Sequence, residues 1–497
     1  MLGQLIPKNF IKSRGVELIT LLLLFLFLAA WSLKNFQLLQ SYSEPSGTDG
    51  FFYLKQILSL TQYHQFYFKD HSIAFWLPVS LNFFIKNDLL AYQISIVLTM
   101  SLIGFAITKI SLMTINSENH QLPKGLSILT VTLTSLTCIS NYFLYELGYN
   151  YLKTSVGLLL FLLGLLCFEY SPSKRPNNLS KKSLYTVKSI GTLLFLLSLF
   201  AHKTSLVLIG LYLIVNLKWK KLYIYLALTF ALLGWLFINF FYPSGKQYLL
   251  FILSHQFTNP TLFLNWIQWL IHENNWLAIG PLLTLLSLLS SYFFRDSQSK
   301  RIALLTGLLG ILAWNPYFIQ NIDSPSYRLA IIQWAITPPI LIGLWLKSYS
   351  RFDFLLGVLL SFFVIFAFKT GPSIHGFFKG YSKMDTNVSQ LTSFIKPGEH
   401  LTCHHGLEFY VDYHTPIRCR SFISNQLDQK KWRLVWVPLQ KGPWNEARIL
   451  LNAETPLRLG RDYFLITENR WLEILNLYNL RLNWRNPMET RPAHIYE

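Results

Sequence analysis

Asp49 is the side chain of this chain whose type and setting most need a chemical explanation. It lies in Thr48-Asp49-Gly50-Phe51-Phe52-Tyr53-Leu54, just past the first long apolar segment. A carboxylate beside hydrocarbon is expensive, so a functional role is the default where one persists. It could take the proton from an attacking hydroxyl, or hold a metal that does so. The structural alternative is a helix N-cap, in which Thr48 or Asp49 accepts a backbone N–H from the turn beginning at Phe51. Other acids and bases stand on separate segments: Glu44, Asp70-His71, His202-Lys203, His255, His272-Glu273, Asp323, Tyr327 and Arg328. Arg328, Lys203 and His202 are of the type that stabilises a departing phosphate, and the arginine fork binds two phosphate oxygens at once. Their structural alternatives are a snorkelling helix end for Arg328 and a solvated hairpin tip for His202-Lys203. No phosphate-cradling Gly-x-x-x-x-Gly-Lys and no dinucleotide fingerprint is present.

The elements that must position these residues are membrane helices. Of the 497 residues, 52% are hydrophobic and 13% charged. Leu-rich runs of about 18–22 residues recur, long enough to cross a bilayer. The net charge of +19 is concentrated in the apolar part, where 27 basic residues face 12 acidic ones up to position 369. That distribution is a topology signal, and no nucleic-acid partner is expected. Lys8, Lys12 and Arg14 precede an apolar run at 16–36 with no small-residue cleavage site. This predicts a retained signal-anchor with a cytoplasmic N-terminus.

Alternating crossings from there predict about eleven transmembrane helices. The expected order places helices near 16–36, 89–112, 126–145, 152–170, two short ones in 189–217, then 222–241, a return helix after 276, and three more ending near 316, 347 and 369. Residues 37–88 form a long outer loop with amphipathic stretches. Glu146-Leu147-Gly148 marks an outer turn, His202-Lys203 an outer tip, and residue 328 the start of the tenth helix. With this count, 18 of the 27 basic residues of the membrane part fall on the inner side. The acids and bases named above gather on the other face.

Character changes after residue 370. Short β-type runs at Leu401–Cys403, Arg433–Val437 and Tyr463–Ile466 alternate with helical stretches such as Glu468 to Tyr478. The fold class expected is a polytopic α-helical membrane protein, 1–370, followed by a small extracytoplasmic α/β domain, 371–497. An extracytoplasmic location would allow a disulfide between Cys403 and Cys419. Cys403-His404-His405 with His414 does not match an established zinc spacing.

Nucleotide-activated donors are cytoplasmic, so a transferase working on the far face needs a donor that has already crossed, typically on a lipid phosphate. Here the chain resembles the GT-C superfamily of glycosyltransferases. The resemblance rests on the first helix with Thr48-Asp49-Gly50-Phe51-Phe52-Tyr53-Leu54, which looks like the family's acidic motif in its first outer loop. Phe200-Ala201-His202-Lys203-Thr204 and Ser326-Tyr327-Arg328-Leu329 support it. It implies sugar transfer from a polyprenyl-phosphate-linked donor to a lipid, glycan or protein acceptor, in a bacterial inner membrane. Asp49 would be general base or metal ligand, with Asp70 or Glu44 as a second carboxylate; Arg328, Lys203, His202 and Tyr327 would bind the donor phosphate. Many members carry two adjacent acids, whereas Asp49 stands between Thr48 and Gly50, so a divalent metal is left open. The Trp-Trp-Asp-Tyr-Gly signature of oligosaccharyltransferases is absent. Two other classes remain: a transporter or flippase of lipid-linked glycans, and a non-catalytic membrane assembly subunit. The first would need midplane polar groups and often internal symmetry, neither of which is evident.

Overall fold

The structure is a computed structural model that describes residues 8–46, 49–67, 70–113, 124–169, 181–216, 280–294, 296–314, 325–347, 351–369, 386–396, 399–403, 407–417, 419–421, 431–437, 443–460 and 462–478. The helices of the apolar part are α1 (Lys8–Gln40), α2 (Gly50–Tyr63), α3 (Trp76–Ile85), α4 (Asp88–Met113), α5 (Lys124–Ser140), α6 (Tyr142–Asn150), α7 (Leu152–Glu169), α8 (Lys181–Ala201), α9 (Thr204–Asn216), α10 (Gly280–Phe293), α11 (Ser297–Ala313), α12 (Pro325–Lys347) and α13 (Arg351–Lys369). Among the described residues, four helices are long and apolar enough to cross a membrane: α1, α4, α7 and α12. They become five if the bent pair α5–α6 counts as one span. Over the described residues, the remaining apolar helices, α8–α11 and α13, are shorter in their apolar run. The expected crossing at 222–241 lies outside the described residues. The multi-pass helical plan is therefore present, while the count of about eleven full spans is met only in part.

Two expected boundaries move. Glu146, Leu147 and Gly148 are not an outer turn; they lie inside α6 and are buried. The chain instead bends by 53° at Asn141, between α5 and α6. Likewise α12 begins at Pro325, so Tyr327 and Arg328 sit in its first turn, with proline at the position where its missing N–H costs nothing.

Contacts divide the described residues into two compact units. The first draws on Met1–Gln37, His71–Ala74 and Ser95–Ile374. The second draws on Leu38–Asp70, Phe75–Ile94 and His375–Glu497. This grouping does not follow a linear cut at 370, because the segment after α1 clusters with the C-terminal part.

The centre of the first unit is α12, the most enclosed of the four spans. It contains Pro338 and Pro339. Each proline lacks the N–H that would bond the carbonyl four residues back, leaving Trp334 and Ala335 without their helical donors. Asn141 supplies the replacement. Its Nδ2 donates to Trp334 O at 2.8 Å and to Ala335 O at 3.2 Å. Its Oδ1 accepts the N–H of Phe143 at 3.0 Å and so caps α6, and Phe143 stacks on Trp334. The other side of α6 is held by α1, where Trp31 Nε1 donates to the Tyr145 hydroxyl at 2.7 Å. The Tyr149 hydroxyl in turn donates to Asn35 Oδ1 at 2.7 Å.

The second unit contains a five-stranded mixed sheet in the order β2-β1-β3-β5-β4. Its strands are β1 (His400–Cys403), β2 (Cys419–Ser421), β3 (Lys431–Trp436), β4 (Leu457–Leu459) and β5 (Tyr463–Thr467). β1 runs parallel to β2 and β3, and β5 is antiparallel to β3 and β4. Helices α14 (Leu407–His414), α15 (Pro443–Glu454) and α16 (Glu468–Leu477) accompany it. α15 and α16 cover one face through Leu451, Trp471 and Ile474, packed with Val435 and Phe464. The expected runs at 401–403, 433–437 and 463–466 are β1, β3 and β5. The two three-residue strands, β2 and β4, were too short to carry a pattern. Cys403 and Cys419 are joined by a disulfide.

Asn141→Ala leaves two buried carbonyls of α12 and the start of α6 without partners. At about 1–3 kcal/mol for each orphaned group, the expected loss is on the order of 2–5 kcal/mol. It would be read as a lower Tm of the full chain in detergent, with Asn141→Asp no better because a carboxylate cannot donate.

Candidate anion site and the Asp49 helix

In the first unit, Arg328 projects from the first turn of α12 to the break between α8 and α9. Its Nη1 lies 3.0 Å from His202 Nε2, and its guanidinium carbon 5.0 Å from the centre of the Tyr151 ring. An arginine N–H can only donate, so Nε2 must accept. Nδ1 lies 2.9 Å from Thr204 Oγ1 and 3.3 Å from the Thr204 backbone nitrogen. His202 is 5% exposed. Burial holds its pKa well below the ordinary histidine value, and the charges of Arg328, Lys153 and Lys203 add to the effect. Lys203 keeps much of its surface exposed. Its pKa is also lowered, first by desolvation and then by Arg328 and Lys153.

Among the described residues, Arg328 forms no ion pair with a carboxylate. Arg328 thus meets a histidine that must stay neutral, with the charges of Lys203 and Lys153 acting on the same imidazole, and an arginine fork in such a setting is suited to a phosphate group.

Tyr327 points elsewhere. Its hydroxyl donates to Glu146 Oε1 at 2.9 Å, and both side chains are buried. In the sequence this carboxylate reads as part of an outer turn, because it interrupts an apolar run. Its only signal was that same interruption, flanked by Tyr142, Tyr145, Tyr149 and Tyr151. Tyr327 is therefore a link between α12 and α6.

In the second unit, Asp49 occupies the N-cap position of α2, but its side chain makes no capping hydrogen bond. The capping role weighed from sequence is not the one its carboxylate takes. Its backbone carbonyl still accepts the N–H of Tyr53 at 3.0 Å. Asp49 is half-buried, within electrostatic reach of Tyr92, whose hydroxyl donates to Ser46 O at 3.2 Å. The next residue must be small: a Cβ at Gly50 would come within 2.8 Å of the Pro45 ring. Asp70 belongs to the same unit, and its backbone carbonyl accepts Gln56 Nε2 at 3.4 Å. Glu44 lies within electrostatic reach of Tyr410.

Among the described residues, no group of three acid, histidine or cysteine side chains is placed to hold a metal. Cys403, a member of the cysteine–histidine cluster, is taken up by its disulfide, and His404 and His405 lie outside the described residues. So do His255, His272, Glu273 and Asp323.

Compared by sequence, the chain matches no family model and no curated protein. By structure it is similar to ArnT from Cupriavidus metallidurans, solved with undecaprenyl phosphate bound, at 11% identity and a TM-score of 0.48, over 89% of this chain and 97% of that one. The same protein in its apo state aligns at 11% identity and a TM-score of 0.47, over 92% and 98%.

A histidine whose folded pKa lies below its unfolded value binds fewer protons when folded. Its contribution to stability is therefore lost as pH falls below the ordinary histidine pKa of about 6.5. His202→Gln removes that term. Its Tm between pH 7.5 and 5.5 is expected to fall less than that of the parent chain, as measured by thermal shift in detergent.

Proposed function

We propose that this chain is a membrane glycosyltransferase of the GT-C type, moving a sugar from a polyprenyl-phosphate-linked donor to a hydroxyl of a lipid, glycan or protein acceptor. The observation that carries the reading is the set of cations around neutral His202: Arg328 with no carboxylate partner among the described residues, Lys203, and Lys153. In this reading the guanidinium and the two ammonium groups take the charge that builds on the lipid phosphate as the glycosidic C–O bond breaks. Asp49 takes the proton of the acceptor hydroxyl as its oxygen attacks the anomeric carbon. In-line attack inverts the anomeric configuration. Asp70 is the reserve carboxylate, in the same unit as Asp49. Tyr327 acts through Glu146, holding the turn of α12 that carries Arg328.

The sidedness follows from the same chemistry. The basic loops lie in the cytoplasm with the N-terminus, and the sheet domain lies outside, at an inner membrane. The Cys403–Cys419 disulfide supports this placement, because such bonds persist in oxidising compartments.

Release of free polyprenyl phosphate is common to every sugar and acceptor of this class, and it is the measurement of choice. Asp49→Asn is expected to lower release by about 10²–10⁴-fold with normal expression and insertion; normal turnover by this variant removes Asp49 from the mechanism. Arg328→Lys keeps the charge but loses the fork and the acceptor-directed N–H to His202. It should reduce turnover by about tenfold or more, and unchanged kinetics would detach the cation cluster from the reaction.

A further inference from the structure

Asp412 is 2% exposed on α14, and the transfer reaction gives it no task. Its atoms meet three segments of the second unit. Oδ1 accepts the N–H of Cys419, the first residue of β2, at 2.8 Å. Oδ2 accepts the Tyr67 hydroxyl, from the segment after α2, at 3.2 Å. Its backbone carbonyl accepts Lys55 Nζ, from the second turn of α2. The same ammonium lies 4.8 Å from the centre of the Tyr67 ring.

Aromatic contacts run alongside. Phe51 meets Tyr410 edge-on at 4.9 Å and His414 at 5.5 Å, and Phe52 meets Phe409 at 5.1 Å. α14 is itself confined, because the disulfide joins the end of β1 to the start of β2 across the 16-residue interval that contains it. The Asp49 side chain makes no capping hydrogen bond to α2, and α2 is docked on α14 by these contacts.

Resting on the reading of Asp49 as the proton acceptor, we propose that Lys55 and Asp412 are positioning residues: they clamp α2 onto α14 and thereby aim the carboxylate that immediately precedes α2. The geometry carries the clamp, and burial acts on both charges. Burial lowers the pKa of Lys55 and Asp412 offsets part of that. Burial pushes Asp412 up to about 6, against the Cys419 N–H, Tyr67 and Lys55, with Glu408 on the same helix pushing it further up.

The test uses the full chain in nanodiscs and amide hydrogen exchange of peptides covering residues 49–58. Lys55→Met keeps the aliphatic packing and removes the donor and the charge. It is expected to speed exchange in α2 by about tenfold while β3 and β5 exchange as before. Lys55→Arg, which can still donate to the carbonyl and cover Tyr67, should restore slow exchange; a role in packing alone would not separate Met from Arg. Polyprenyl phosphate release should follow the same order, down about tenfold in Lys55→Met and retained in Lys55→Arg. Tyr67→Phe offers a second, milder lesion in the same clamp. Parent-like exchange and release in Lys55→Met, alongside an inactive Asp49→Asn, overturn the clamp and leave the base intact. Loosened α2 in Lys55→Met with a fully active Asp49→Asn overturns the base, and the positioning claim falls with it.

Discussion

The first unit depends on one side-chain amide. Two consecutive prolines in the middle of a buried helix expose two carbonyls that no helical N–H can reach, and in an apolar interior each would cost more than most single contacts return. Asn141 answers both with its two N–H bonds and uses its oxygen to start the next helix. The bend at Asn141, the break in α12's hydrogen-bond ladder and the seating of α6 on α12 are thus one event. Everything positioned along these two helices inherits that geometry, including Glu146 and the Tyr327 hydroxyl that meets it.

Arg328 follows Tyr327 in the same helical turn. Anchoring Tyr327 through a buried carboxylate sets the rotation of that turn, and so the direction of the guanidinium. What it meets is a histidine obliged to accept and therefore to remain neutral. A protonated imidazole would add a further charge to a group of cations that already repel one another. In the reading proposed above, a phosphate monoester or diester is the ligand with charge and oxygens that match this guanidinium.

The second unit shows a different economy. The aromatic run Phe51-Phe52-Tyr53 has the look of an interfacial belt, yet Phe51 and Phe52 pack against α14 and Tyr53 stacks on Tyr92. The loop after the first helix is consequently part of the same compact body as the C-terminal sheet. A small sheet domain of this size gains from extra fastening, which it receives from the disulfide and from the buried Arg433–Glu468 and Arg448–Asp462 pairs.

Much was legible in the sequence because it depends on local composition. The length of apolar runs predicted α1, α4, α7 and α12. The break at His202-Lys203 is where α8 stops and α9 starts, since two adjacent polar side chains interrupt the apolar face. β1, β3, β5 and α16 were readable from runs of β-formers and from one amphipathic stretch. What only the tertiary structure decided is the satisfaction of buried polar groups. Asn141 falls inside the single helix expected at 126–145 and Glu146 reads as a turn residue, because a linear scan cannot see Trp334, Ala335 or Tyr327, nearly two hundred positions away, supplying their partners. The membership of the first outer segment in the sheet domain was hidden for the same reason. Hydropathy reports what a residue prefers on average, whereas burial of a polar side chain depends on which distant group arrives to pair with it.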